Sequence, residues 1–195
     1  MKPKSLHLIV GVVITLSFAP TSRAETGSTI AAQTHVDRAL SYYNRGNLTG
    51  AISELRKARD VVPNDPHVNF MLGNALYRHG EIHEAAKAYA KSLEVRPSYF
   101  EAHMSRGFAL FELRRFDEAV IEWRAAKVLD PKEPFARTAL AVGLYAVGRV
   151  NDAKVQYAEA VMLDSRYGNP DSLSVDIRWK SDALNVLREL HKSIH

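Results

Sequence analysis

The chain has 195 residues, no cysteine, 46% apolar and 25% charged residues, and a formal charge of +4 at pH 7. The missing cysteines exclude disulfides, a cysteine nucleophile and lipid attachment through a cysteine. Lys2, Lys4 and Arg23 lie in a leading stretch of 24 residues without an acid, so the remainder carries only +1. A near-neutral domain without a basic stripe gains little counterion release from a phosphate backbone, and nucleic acid is not an expected partner.

At the N-terminus, Lys2 and Lys4 precede an apolar run from Leu6 to Phe18, followed by Pro20 and the small segment Ser22-Arg23-Ala24. This is the layout of a secretory signal peptide. The run falls short of the roughly 20 apolar residues that span a bilayer. Residues 1–24 are therefore expected to be a signal peptide cleaved after Ala24. The remaining chain is exported, most simply to a bacterial periplasm, with no stable membrane insertion. Residues 25–31 are small and polar and are expected to form a flexible lead.

From there one period organises the chain. Ala51, Ala85, Ala119 and Ala153 are separated by 34 residues each. The same register holds Pro63, Pro97 and Pro131, with Ser165 in the fourth place. It also holds Ala39, Gly73, Gly107 and Ala141; Ala58, Ser92, Ala126 and Ala160; and the bulky Leu55, Tyr89, Trp123 and Tyr157. Gly46, Gly80 and Gly148 fall between apolar-periodic stretches, where a chain leaving a helix needs a left-handed residue. Asp65-Pro66 reads as a helix cap followed by proline in the first turn. Each unit is helix, turn, helix. The small residues mark where helix axes approach to about 8 Å, and the bulky ones fill the joint between hairpins.

Leu72-Gly73-x-x-Leu76, Ala119-x-x-x-Trp123 and Pro131 resemble the motifs of the tetratricopeptide repeat family. Four units are expected, at 32–65, 66–99, 100–133 and 134–167. Arg38 and Arg106 stand where Leu72 and Leu140 do, Arg114 replaces a turn glycine, and Ser165 replaces the closing proline. The resemblance implies an all-α, right-handed superhelical solenoid of hairpins. A C-terminal capping segment, 168–195, completes it. Within that segment Leu173, Ile177 and Trp179 come first, and Ser181 caps a helix over 182–192 whose Ala183, Leu184, Leu187 and Leu190 lie on the fourth repeat.

The first helix of each unit carries a second apolar stripe: Val36, Leu40 and Tyr43; Phe70, Asn74 and Tyr77; Met104, Phe108 and Phe111; Thr138, Val142 and Tyr145. In the family resembled, first helices line the inside of the superhelix and bind peptides there. These residues of the last three units, with Phe135, are the expected peptide-binding groove, suited to an apolar or amphipathic segment. A competing reading has the same side chains fill the seam between adjacent first helices. Relatives that grip an acidic C-terminus use lysine, arginine and asparagine on this face; here Phe70, Ser105, Phe135 and Ala139 stand there, so that specificity is not expected.

No catalytic constellation emerges. No nucleophile sits in a strand-turn-helix context and no glycine-rich loop follows a strand. Asp117-Glu118 opens a helix, where acids serve the N-terminus. His79 and His83 are four apart but separated by the turn at Gly80, with no third ligand nearby. No enzyme activity, cofactor or metal is expected. The function implied is an exported interaction module for a protein or peptide partner. Two alternatives are a homo-oligomeric scaffold whose groove holds its own tail or a second copy, and a carrier of a small apolar ligand or an enzyme using the groove.

Overall fold

The computed structural model describes residues 23–173 and 181–194. Its helices are α1 (Arg23–Asn44), α2 (Leu48–Val61), α3 (Pro66–His79), α4 (Ile82–Val95), α5 (Phe100–Glu112), α6 (Phe116–Leu129), α7 (Pro134–Ala146), α8 (Val150–Leu163) and α9 (Ser181–Lys192). Short 3-10 turns at Ser165–Gly168 and Pro170–Leu173 lie between the last two. The expected signal peptide falls outside the described residues except for Arg23 and Ala24, which begin α1. That helix takes in 25–31, set apart by the sequence as a flexible lead, so the first helix begins ahead of the repeat to which it belongs. Ile177 and Trp179 also fall outside the described residues.

Helix boundaries follow local chemistry. The Asp65 carboxylate accepts from the amides of His67 and Val68 at 2.8 and 2.9 Å, with Pro66 in the first turn, and Glu133 accepts from Phe135 ahead of α7. Inside the hairpins Gly46, Gly80 and Gly148 have φ of +76°, +92° and +81°. Arg114 takes the same left-handed conformation at +61°, a strain that glycine avoids at the other turns. Its guanidinium lies 5.6 Å from the centre of the Phe116 ring.

Consecutive helices pair into hairpins, α1 with α2 through α7 with α8, and each second helix packs on the next first helix. The first helices α3 and α5 also meet directly, placing them on the inner, tighter side of the curve.

Within a hairpin, small and bulky positions are matched. A Cβ built on Gly73 would meet the Tyr89 ring at 2.5 Å, and one on Gly107 would meet Trp123 Cδ1 at 2.6 Å. The smaller Leu55 faces a unit with Ala39 in that place. Trp123 also reaches the next unit, since a Cβ on Gly143 would lie 3.0 Å from its ring. The bulky residue therefore serves both its own hairpin and the joint. Ala58, Ser92, Ala126 and Ala160 are fully buried, and the Ser92 hydroxyl donates to the Pro66 carbonyl at 2.7 Å.

Between units, the carbonyl of each closing proline is clasped by a side chain six residues on. Asn69 Nδ2 donates to Pro63 at 3.0 Å, His103 Nε2 to Pro97 at 2.9 Å, and Arg137 Nη2 to Pro131 at 2.8 Å. His103 Nδ1 lies 2.6 Å from Glu122 Oε2, and the other Glu122 oxygen accepts from Arg106. Arg106 thus takes the place of a core leucine by extending a polar network with Glu122.

Burial pulls the His103 pKa down, but the Glu122 carboxylate and the Pro97 carbonyl outweigh it and raise the group overall. The imidazolium is favoured in the fold. Its contribution is complete below the ordinary value of 6.5 and is lost as pH rises through the higher folded value. His103→Asn keeps a donor for Pro97, as Asn69 does for Pro63, but cannot titrate. The melting temperature of the wild type relative to this variant is expected to fall as pH rises above the ordinary value of 6.5; a flat difference would contradict the assignment.

Candidate peptide-binding surface

The inner face has two halves. In the first, Leu40 of α1 is 37% exposed, and Tyr43 of α1 and Phe70 and Asn74 of α3 are half-buried. The Arg78 guanidinium stands 4.5 Å over the centre of the Tyr43 ring. Phe70 leans on Tyr99 and Tyr89, with ring centres 5.0 and 5.8 Å away. The Tyr89 hydroxyl donates to Asn74 Oδ1 at 2.8 Å, so that amide has its N–H groups to offer a ligand carbonyl.

The second half is closed. Met104, Phe108 and Phe111 of α5 and Phe135, Thr138 and Val142 of α7 are all buried, as is Tyr77; Tyr145 is half-buried. Tyr77 lies in the seam between first helices, where its hydroxyl donates to Glu112 Oε1 of α5 at 2.6 Å. Phe108 packs between Trp123 and Phe135 at 5.1 and 5.7 Å, and Phe111 between Phe116 and Trp123 at 4.8 and 5.8 Å. Thr138 spends its hydroxyl on the Pro134 carbonyl of its own helix. Of the ten expected groove residues, Phe70, Asn74 and Tyr145 keep substantial access to solvent. The other seven are packed inside the chain, which is the seam-filling alternative. The two outcomes share one spacing, so the sequence could not separate them.

The closure at the C-terminal end comes with α9. Ala183, Leu184, Leu187 and Leu190 are its buried side, and Asp182, Asn185, Glu189 and Lys192 are exposed on the other. Within the fourth repeat α9 packs chiefly on α7 and less on α8, and it also reaches α5 of the third, which lays it on the first helices. Part of the array's end is met by the turn after α8. The Tyr157 hydroxyl donates to the Tyr167 carbonyl at 2.9 Å, and burial pushes that phenol up to about 12, so it remains a donor at physiological pH.

Elsewhere His79 Nδ1 lies 3.0 Å from Glu81 on an exposed turn, and His83 follows on α4 beyond Gly80. Among the described residues no group of three or more His, Asp or Glu is placed to hold a metal ion, and no helix is long and apolar enough to cross a membrane. One exposed feature escaped the sequence reading. Ile121 and Val128 on α6 and Val155 and Met162 on α8 form an apolar stripe on the outer face at the repeat period, where α4 has Lys87 and Glu94.

These features define a class, the helical-hairpin solenoid with a partly open inner face. A family model described as tetratricopeptide repeat matches residues 36–89 and 70–134, together just over half of the sequence. The chain belongs to the tetratricopeptide repeat family, whose members are generally non-catalytic interaction scaffolds.

Three solved structures illustrate the likeness. MamA from Desulfovibrio magneticus RS-1 is 20% identical with a TM-score of 0.68, covering 84% of this chain and 96% of its own. YrrB, described as having an unusual peptide-binding site, is 18% identical with a TM-score of 0.66, covering 87% and 89%. The first repeat domain of Spaghetti, bound to an HSP90 peptide, is 21% identical with a TM-score of 0.53, covering 67% and 93%. At these identities the likeness concerns the fold. No curated protein matches the chain.

Proposed function

We propose that this is an exported, non-catalytic interaction module with four repeats, which holds a peptide or partner subunit on the inner face of its first two hairpins. The observation that carries the reading is the contrast along one register. Leu40 is exposed and Tyr43, Phe70 and Asn74 are half-buried, while of the equivalent residues in the last two hairpins Met104, Phe108, Phe111, Thr138 and Val142 are buried and Tyr145 alone keeps partial access. Aliphatic and aromatic anchors beside an amide donor suit an apolar segment that also offers backbone carbonyls. No cationic clamp residue stands at Phe70 or Ser105, and Phe135 and Ala139 are buried, which argues against an acidic C-terminus as ligand. Solved relatives that bind peptides support the general mode. The leader at 1–24, with its basic start and short apolar run, supports export to the periplasm.

A photo-crosslinking residue introduced at Leu40 or Phe70 is expected to label a discrete partner in the envelope fraction. The same residue at Lys87, on the outer face, should not. Equal labelling from both faces, or none from the inner one with the chain folded, would remove the assignment.

A further inference from the structure

We propose that the α5–α7 face is a receptor for an amphipathic helix and that α9 is its resident, exchangeable occupant. The competing partner presents a helix with α9's pattern of small and leucine side chains. This rests on the reading of the inner face as the protein-binding surface, and it names the chemistry of the ligand for the half that is closed.

The first observation is the packing order. At each junction inside the array, the next first helix packs on the preceding second helix, as α3 does on α2, α5 on α4 and α7 on α6. A helix that merely continued the stack would have α8 as its main neighbour. The chief neighbour of α9 is α7, with α5 and α8 in lesser contact, so α9 crosses first helices from two units as a ligand in the groove would.

The second is the burial of the helix that α9 contacts most. Thr138 and Val142 of α7 are 0% exposed, whereas Phe70 and Asn74, their counterparts on α3, are half-buried. Leu187 and Leu190 are 0% exposed and join α9 to the continuous apolar core, on the side where α7 and α5 are its neighbours. The third is how α9 is held. Ala183, Leu184, Leu187 and Leu190 occupy one side at helical spacing. The Arg188–Asp171 ion pair at 2.7 Å and the Lys154 bond to the Ser193 carbonyl are exposed, and water replaces such ties at little cost; one part-buried tie, His191 Nδ1 at 3.3 Å from the Tyr157 hydroxyl, is long. An incoming helix of the same pattern recovers the apolar contacts, and the hairpins keep their own packing from α1 to α8.

The test uses the full chain and a labelled peptide with the sequence of residues 181–192. Leu187→Ser/Leu190→Ser should loosen α9 and let the folded variant bind the peptide. The wild type should bind it at least tenfold more weakly, because a tethered α9 competes at high effective concentration. A peptide with both leucines changed to serine should bind neither. A folded variant that does not bind, or equal binding by variant and wild type, would overturn the proposal. A wild type that is dimeric and becomes monomeric in the variant would also overturn it, in favour of a second copy's α9.

Should the variant fail to fold, amide hydrogen exchange on the wild type decides. Exchange of α9 ahead of α7 supports the proposal, and exchange of both only on global unfolding defeats it. Peptide binding without crosslinks at Leu40 or Phe70 would refute the partner site on the first two hairpins and leave the role of α9 standing. Crosslinks without peptide binding would do the reverse.

Discussion

Trp123→Ala is expected to lower stability by about 3–5 kcal/mol, the largest effect of any single truncation in this chain. The indole is fully buried, meets Phe108 edge to face and Phe111 at a tilt, and donates its N–H to the Met104 carbonyl at 3.2 Å. It also fills the space left by Gly107 in its own hairpin and by Gly143 in the next. Removing it opens a cavity at a joint and takes the partner from a buried carbonyl, so the losses add. Urea unfolding followed by circular dichroism checks this. A loss under about 1 kcal/mol would mean that the hairpins close over the gap and that the joint is not where the array is locked.

Gly107→Ala is the second. A methyl group there lands on the Trp123 ring, at 2.6 Å from Cδ1, with α6 fixed behind it. The expected cost is about 1–3 kcal/mol, from overpacking together with some offset from the helix-favouring alanine. The informative measurement is the pair. In a Trp123→Leu background the small and bulky places would read Ala and Leu, as Ala39 and Leu55 do in the first hairpin, and the alanine should cost nothing further. Additive effects would show that the glycine answers to something other than the indole.

The matching of small to bulky residues explains why so much of the architecture was legible. A constant period of 34 residues, left-handed glycines between apolar stretches and Asp65-Pro66 at a helix start are local signals, and the hairpin turns fall where they put them, while α1 starts earlier than the period indicates. The candidate site was harder. Phe70, Asn74 and Tyr145 kept their access, but Tyr77 and Phe111 share their register and are buried in the seam between first helices. Which outcome occurs depends on the curvature of the array and on α9, neither of which is written in the spacing. The pattern of α9 announces an amphipathic helix without saying which surface it chooses. The polar network was missed for a different reason. Arg106 looked like a departure from a core leucine, yet His35 with Glu54 and His103 with Glu122 share a 19-residue separation two repeats apart. That recurrence could have revealed the pairing.

The clasps on Pro63, Pro97 and Pro131 give the three joints of this spring unequal chemistry. A neutral amide ties the first, an imidazole the second and a guanidinium the third. Acidification favours the charged clasp at the middle joint, while added salt is expected to bear on the last, where Arg137 also meets the more exposed Glu159. Resistance to bending is therefore expected to differ from joint to joint with pH and salt.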